Sequence, residues 1–111
     1  MRDFYFLSFY NIMPVSVKIT DSNKKGKRLM AIFRKHKGGD IIKITHFGSS
    51  EHENFTIHND EKRKELYIKR HRKRENWDDY KSAGSLSRYI LWNKKTLDAS
   101  IKDYKKRFKL D

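Results

Sequence analysis

The chain of 111 residues is long enough for one domain, and its charged fraction of 37% slightly exceeds its hydrophobic fraction of 36%. Its 27 lysines and arginines outnumber 14 acidic residues, and the resulting formal net charge of +13 predicts an anionic partner: nucleic acid, an acidic protein surface or an anionic membrane face. The sequence has no cysteine, which excludes disulfides and cysteine-ligated zinc, and no run of the roughly 20 apolar residues that a membrane-spanning helix needs.

The beginning of the chain is rich in bulky rings, which include Phe4, Phe6, Phe9 and Tyr10. Clustered apolar side chains of this size need a surface to cover them. We therefore predict an aromatic N-terminal arm over residues 1–13 that binds a partner, followed by a single small basic domain over residues 14–111.

The first half of the chain has the pattern of β-strands. Residues 15–20 alternate apolar and polar side chains, which predicts a half-buried strand. Residues 28–47 predict a β-hairpin, because two apolar runs flank a turn at Gly38 and Gly39, where glycine accepts a positive φ. Residues 53–58 predict a short fourth strand.

The second half has helical patterns. Asn59 or Asp60 can cap a helix that runs to about Glu75, and residues 85–92 predict a short second helix. Thr96 can cap a last, amphipathic helix. Its apolar stripe consists of Leu97, Ile101, Tyr104 and Phe108. The predicted fold is therefore α+β: a small antiparallel sheet, built from the hairpin and flanking strands, followed by two or three helices.

The first predicted helix is strongly basic. Its cations are Lys62, Arg63, Lys64, Lys69, Arg70, Arg72, Lys73 and Arg74. Because a helix turns by about 100° per residue, these side chains fall on several faces. That distribution suits contact with phosphates or with several acidic surfaces, and it does not suit base-specific reading from one face. A solvated helix without a partner is the alternative, but three glutamates do not balance eight cations between residues 61 and 75.

Two tryptophans complete the candidate binding residues. Trp77 and Trp92 lie near arginines in the sequence, where rings can stack on bases. We favour the interpretation that they anchor a core or an interface. The candidate partner-binding cations are Lys62, Arg63, Arg70, Arg72, Lys73 and Arg74.

Five histidines raise the question of catalysis or metal binding. His46, His58, Asn59 and His71 could be arranged as in a histidine–asparagine–histidine nuclease, but their spacing is not diagnostic and no acidic metal ligand is paired with them. The simpler interpretation places His58 at a strand end and His71 on a solvated basic face. We therefore predict a protein that is not an enzyme and has no catalytic residues, cofactor or metal.

Several short motifs occur in a fixed order: Phe55-Thr-Ile-His58, Arg74-Glu-Asn-Trp77 and Leu91-Trp-Asn-Lys94. Over residues 54–108 this order resembles a family of short, functionally uncharacterised proteins encoded by nucleocytoplasmic large DNA viruses, including algal viruses and mimivirus relatives. The resemblance implies a viral setting, and it brings no catalytic residues with it.

In that setting we expect a structural minor capsid protein, which cements capsomers from the inner face of the shell. Its partners would be the major capsid protein and other minor capsid proteins, in a hetero-oligomeric assembly formed in the host cytoplasm and located in the virion. The basic side chains would face acidic capsid surfaces, viral DNA or an inner membrane surface. The alternative is a virion nucleic-acid-binding protein that contacts genome phosphates without sequence specificity.

Overall fold

The computed structural model describes residues 13–111, which contain a three-stranded antiparallel sheet. Its strands, in the spatial order β1-β2-β3, are β1 (Ser16–Asp21), β2 (Lys27–Arg34) and β3 (Ile41–Ser49). The helices after the sheet are α1 (Phe55–His58), α2 (Glu61–His71), α3 (Ala83–Leu86) and α4 (Leu97–Phe108). The predicted α+β class is confirmed. Across residues 13–111, no helix has the length and apolar character needed to cross a membrane.

The predicted hairpin of residues 28–47 is present as β2 and β3. Leu29 lies opposite Phe47 across the two strands. The turn closes where the Lys35 N–H donates a hydrogen bond to the Asp40 carbonyl at 3.0 Å. The turn chemistry and the apolar runs together therefore placed this element correctly.

The core lies between one face of the sheet and the helices. The sheet contributes alternate side chains, namely Val17, Leu29, Ala31, Phe33 and Phe47. The helical layer contributes Leu86, Ile90, Leu91 and Tyr104. Because successive side chains of a strand point to opposite faces, the other face of the sheet points away from these helices.

The predicted last helix is present as α4. Thr96 caps it, because its hydroxyl oxygen accepts a hydrogen bond from the Ala99 N–H at 3.2 Å. Tyr104, in the predicted apolar stripe, is fully buried, and its hydroxyl donates to the Tyr80 carbonyl. Periodicity and capping thus agree with the packing of this helix.

The segment after α4 returns to the edge of β1. The Asp111 N–H donates to the Val15 carbonyl, and the Asp111 carbonyl accepts from the Val17 N–H, both at 2.9 Å. These two bonds tie the C-terminal end of α4 to the sheet.

A π-helical turn, Ser87–Leu91, continues α3 directly. The Trp92 N–H donates to the Ser87 carbonyl at 3.0 Å, a separation of five residues where an α-helix has four. The helix predicted at residues 85–92 is therefore present in a different form, and it begins earlier, after the capping residue Ser82.

The predicted fourth strand at residues 53–58 is wrong, because α1 occupies most of this segment. The Asn54 side-chain oxygen accepts from the Thr56 N–H at 3.0 Å and caps the helix. Asn59 then ends it in the left-handed conformation, with φ 51°. Local hydrogen bonds from the two asparagines therefore outweigh the β-propensity of the residues between them.

The predicted basic helix is present as α2, but it ends at His71 and not near Glu75. Asp60 caps its start by accepting from two backbone N–H groups. A longer helix would place like charges four residues apart, as with Arg70 and Arg74. The Glu75 carboxylate instead reaches back to within 3.2 Å of His71 Nδ1, which closes a turn after the helix.

Gly48 is a point of close approach between the sheet and the helical layer. Its φ is +79°, and a Cβ there would lie 2.6 Å from Leu91 Cδ1. Gly48→Ala combines a left-handed backbone with overpacking, so we expect it to lower the free energy of unfolding by about 2–4 kcal/mol. Gly38→Ala is the matched control, because Gly38 has φ +78° in open space. We expect a loss of about 1 kcal/mol there. Equal losses in chemical denaturation would contradict the close contact.

Candidate functional site

A groove with a volume of about 720 Å³ opens between the end of the sheet and α2. The sheet lines it with Lys27, Phe47, Gly48 and Ser49. The side formed by α2 and the following turn includes Arg63, Leu66, Tyr67, Arg70, His71 and Arg74. Leu91 and Trp92 also line it. We call this site the basic groove, after its four cations, Lys27, Arg63, Arg70 and Arg74.

The arginines of the basic groove follow one side of α2 and the turn after it. Arg63, Tyr67 and Arg70 are separated by four and three positions, the spacing of one helical face, and Arg74 reaches the groove from the turn after α2. The remaining predicted partner-binding cations are exposed outside the groove; they are Lys62, Arg72 and Lys73. The structure therefore divides the predicted basic helix into a groove side and a solvent side.

Of the two predicted tryptophan anchors, Trp92 lines the groove and Trp77 does not. The Trp77 Nε1–H donates to Glu75 Oε2 at 2.9 Å, and the Arg88 guanidinium lies 5.6 Å from the centroid of its ring. The predicted arm residues lie outside the described residues; they are Phe4, Phe6, Phe9 and Tyr10.

Two acids, Glu53 and Glu75, also line the groove, so its four cations leave a formal excess of two positive charges. Glu53 pairs with Arg63 at 3.4 Å, but the two side chains are 58% and 49% exposed, so water screens the pair. The carboxylate of Glu75 lies against His71 and accepts the indole hydrogen bond described above. The groove cations without an ion pair in the described part of the chain are Lys27, Arg70 and Arg74.

Three rings that line the groove, those of Tyr67, His71 and Trp92, belong to an aromatic stack. The rings of Tyr67 and Trp92 are nearly parallel, with an interplanar angle of 5° and a centroid separation of 4.4 Å. The His71 ring stacks on Tyr67 at 4.2 Å, and the His58 ring lies 5.4 Å from Trp92. These rings contact one another, and Tyr67 is buried, so they join α2 to the helical layer and support the anchor interpretation of Trp92.

The other histidine contacts hold local structure together. His46 Nδ1 lies 2.7 Å from Ser22 Oγ, and His58 Nδ1 accepts from the Asp60 N–H at 2.9 Å. Within residues 13–111, no three histidine, aspartate or glutamate side chains gather in an arrangement able to hold a metal ion. The nuclease arrangement therefore gains no support, and the absence of enzymatic activity stays a prediction.

Among the groove residues that are absent from the sequence-based candidates, Tyr67 and Lys27 matter most for the site. Tyr67 has a usable signal, because it lies four positions after Arg63 and three before Arg70. Lys27 has none, since it precedes Arg63 by 36 positions and reaches the groove only through the fold.

Burial raises the pKa of Tyr67 well above its ordinary value, and the Glu75 carboxylate raises it further. Burial also raises the pKa of Tyr104. In the unfolded chain both phenols ionise at about pH 10, as free tyrosine does. The folded protein keeps these protons above that pH while the unfolded chain releases them, so the free energy of unfolding falls as pH rises past about 10.

We expect the denaturant midpoint to decrease between about pH 9 and about pH 11. Tyr67→Phe removes one of the two ionising groups and should reduce that decrease. An identical decrease in the variant would contradict the role assigned to Tyr67.

A family model for a family of unknown function (DUF5754) matches residues 17–71. No curated protein and no solved structure matches the chain. Over the matched segment, from β1 to the end of α2, the chain is similar to this family, whose description names no activity. The resemblance to proteins of large DNA viruses stays a prediction.

Proposed function

We propose that this protein binds the sugar–phosphate backbone of nucleic acid in the basic groove, without sequence specificity. The observation that carries the proposal is the convergence of four cations from β2, α2 and the turn after α2 on one concave surface. Three of them have no ion pair within residues 13–111. A cleft lined mainly by one sign of charge concentrates the field and attracts a partner of opposite charge.

The chemistry of the groove favours phosphates over bases. An arginine guanidinium is planar and can donate two parallel hydrogen bonds to phosphate oxygens. The rings of Tyr67 and Trp92 stack on each other and contact histidines, so they do not serve as open platforms for bases. The protein would therefore hold a strand by its backbone, and base composition would have little influence on affinity.

The number of groove cations sets the expected salt dependence. Four phosphate contacts with a single strand give a slope of log Kobs against log[salt] of about −3, or a loss of about 50-fold between about 50 and 200 mM salt. Six to ten contacts with the same strand, spread over the whole basic surface, would give a slope of about −4 to −7 and a loss of about 300-fold or more. A slope of about −3 therefore supports binding by the groove.

Arg70→Gln/Arg74→Gln removes two groove cations. We expect the affinity for a single-stranded oligonucleotide to fall about 20-fold at about 100 mM salt, and the salt slope to flatten by about 1.4. Fluorescence anisotropy with labelled homopolymers of each base measures both quantities and tests the independence from base composition.

Arg72→Gln/Lys73→Gln is the matched control, because it removes the same charge from neighbouring residues outside the groove. We expect a loss of less than about threefold, through long-range electrostatics alone. Equal losses for the two double variants would contradict the proposal. Glu53→Gln should act in the opposite direction, because it frees Arg63, and should tighten binding by up to about fivefold.

The minor capsid role is a second proposal, in which the same chain is a structural component beneath the shell of a large DNA virus. It is supported by the viral resemblance together with a second surface, the outer face of the sheet, where Ile41 and Ile44 are exposed. A protein that lies between a genome and another particle component needs two such surfaces. Fractionation of emptied particles tests it, because a shell protein stays with the capsid and a genome-bound protein leaves with the DNA.

A further inference from the structure

The outer face of the sheet, which points away from the helices of the core, carries exposed isoleucines. Ile32 and Ile44 are paired on this face. After a β-bulge, Ile41 pairs with Arg34 and lies at the end of the same face. The exposed fractions of Ile41 and Ile44 are 48% and 46%.

Cations lie beside two of these isoleucines, since Arg34 is paired with Ile41. Lys18 lies directly opposite Ile32 in the register of β1 and β2. A hollow beside this pair, at the β1 edge of the sheet, is lined by Lys18, Arg34 and Lys37, and also by Lys105 of α4 and by Asp111. None of the ion pairs found in residues 13–111 involves these cations. The outer face therefore combines large apolar side chains with positive charge that no ion pair neutralises.

We propose that the outer face of the sheet binds the surface of a bilayer that contains anionic phospholipids. The boundary between headgroups and acyl chains suits this combination, because isoleucines leave water there while cations meet phosphates. Nucleic acid would satisfy the cations and leave the isoleucines in water. The contact is peripheral, with the sheet lying on the bilayer.

A second copy of the chain fits this face less well than lipid does. Three strands spaced about 4.8 Å apart and about 27 Å long present about 400 Å², half of the roughly 800 Å² that each partner contributes to a stable protein interface. The cations of two copies would also face one another. A bilayer that contains anionic phospholipids is negatively charged, and its surface extends past the sheet to the lysines of the β2–β3 turn.

The outer face and the basic groove are separate sites. The hairpin reaches the groove where Lys27 pairs with Ser49, whereas the exposed isoleucines lie near its other end, where Arg34 pairs with Ile41. The seven steps along β2 between these ends span about 24 Å. Lipid binding therefore does not depend on the proposed nucleic-acid function, and either activity can be lost while the other is measured.

Co-sedimentation of the full chain with phosphatidylcholine vesicles, with and without phosphatidylserine, tests the proposal. We expect binding to the vesicles that contain phosphatidylserine. Ile41→Ser/Ile44→Ser should reduce the partition coefficient about tenfold, because two half-exposed apolar side chains are removed. Lys37→Gln should reduce it about fivefold, the contribution of one cation near an anionic surface.

Ile57→Ser is the matched control, because Ile57 is 49% exposed but lies on α1, outside the sheet. It should bind vesicles as the unmodified chain does, and Arg70→Gln/Arg74→Gln should retain lipid binding while losing nucleic-acid binding. The proposal is overturned if no vesicle binds the chain or if Ile57→Ser loses as much binding as Ile41→Ser/Ile44→Ser. A dimer in light scattering that Ile41→Ser/Ile44→Ser dissociates would also overturn it, since a second copy would then cover the face.

Discussion

Tyr67 is the residue of α2 that is buried, and its ring lies flat against that of Trp92. Aromatic contacts of this kind add about 0.5–1.5 kcal/mol to the burial of their surface. The Lys64 ammonium adds a hydrogen bond of 2.7 Å to the Asn93 carbonyl. Because the cations of α2 repel one another, this small set of contacts must both hold the helix in place and oppose that repulsion. The side of the basic groove that α2 forms therefore depends on these contacts.

The charge of the molecule and its stability are therefore linked. A net charge of +13 destabilises a compact chain of this size, and the exposed pair of Glu53 and Arg63 offsets little of it. An anionic ligand that binds the folded state alone shifts the folding equilibrium towards that state. Nucleic acid in the groove would neutralise cations of α2 and so stabilise the wall that binds it.

The elements that can be predicted from the sequence are those in which a periodic pattern agrees with a turn or a capping residue at its end. The hairpin has two apolar runs around a glycine turn, and α4 has an apolar stripe behind the capping residue Thr96. The prediction fails between residues 53 and 58, where strand-forming side chains lie between two asparagines that cap a helix. It also fails at the end of α2, because a hydrogen-bonded turn around Glu75 replaces the last helical turn.

The groove is harder to predict than the elements that form it. The stripe through Arg63, Tyr67 and Arg70 can be found from helical spacing, provided that the helix itself is identified. The partner of Tyr67 in the stack is Trp92, from a segment that lies beyond a long loop, and no local pattern connects the two. Lys27 comes from the start of β2, so its place beside the arginines is a product of tertiary structure alone.

The number of residues in the π-helical turn before Trp92 affects where the Trp92 ring lies. One additional residue within a helical turn rotates the next residues by about 100° relative to an uninterrupted α-helix. The direction in which the indole meets Tyr67 therefore depends on the rotation that the π-helical turn introduces, as well as on which side chain is at position 92. A chain that lacks one residue of Ser87–Leu91 would aim this ring at different neighbours, even with Tyr67 and Trp92 unchanged.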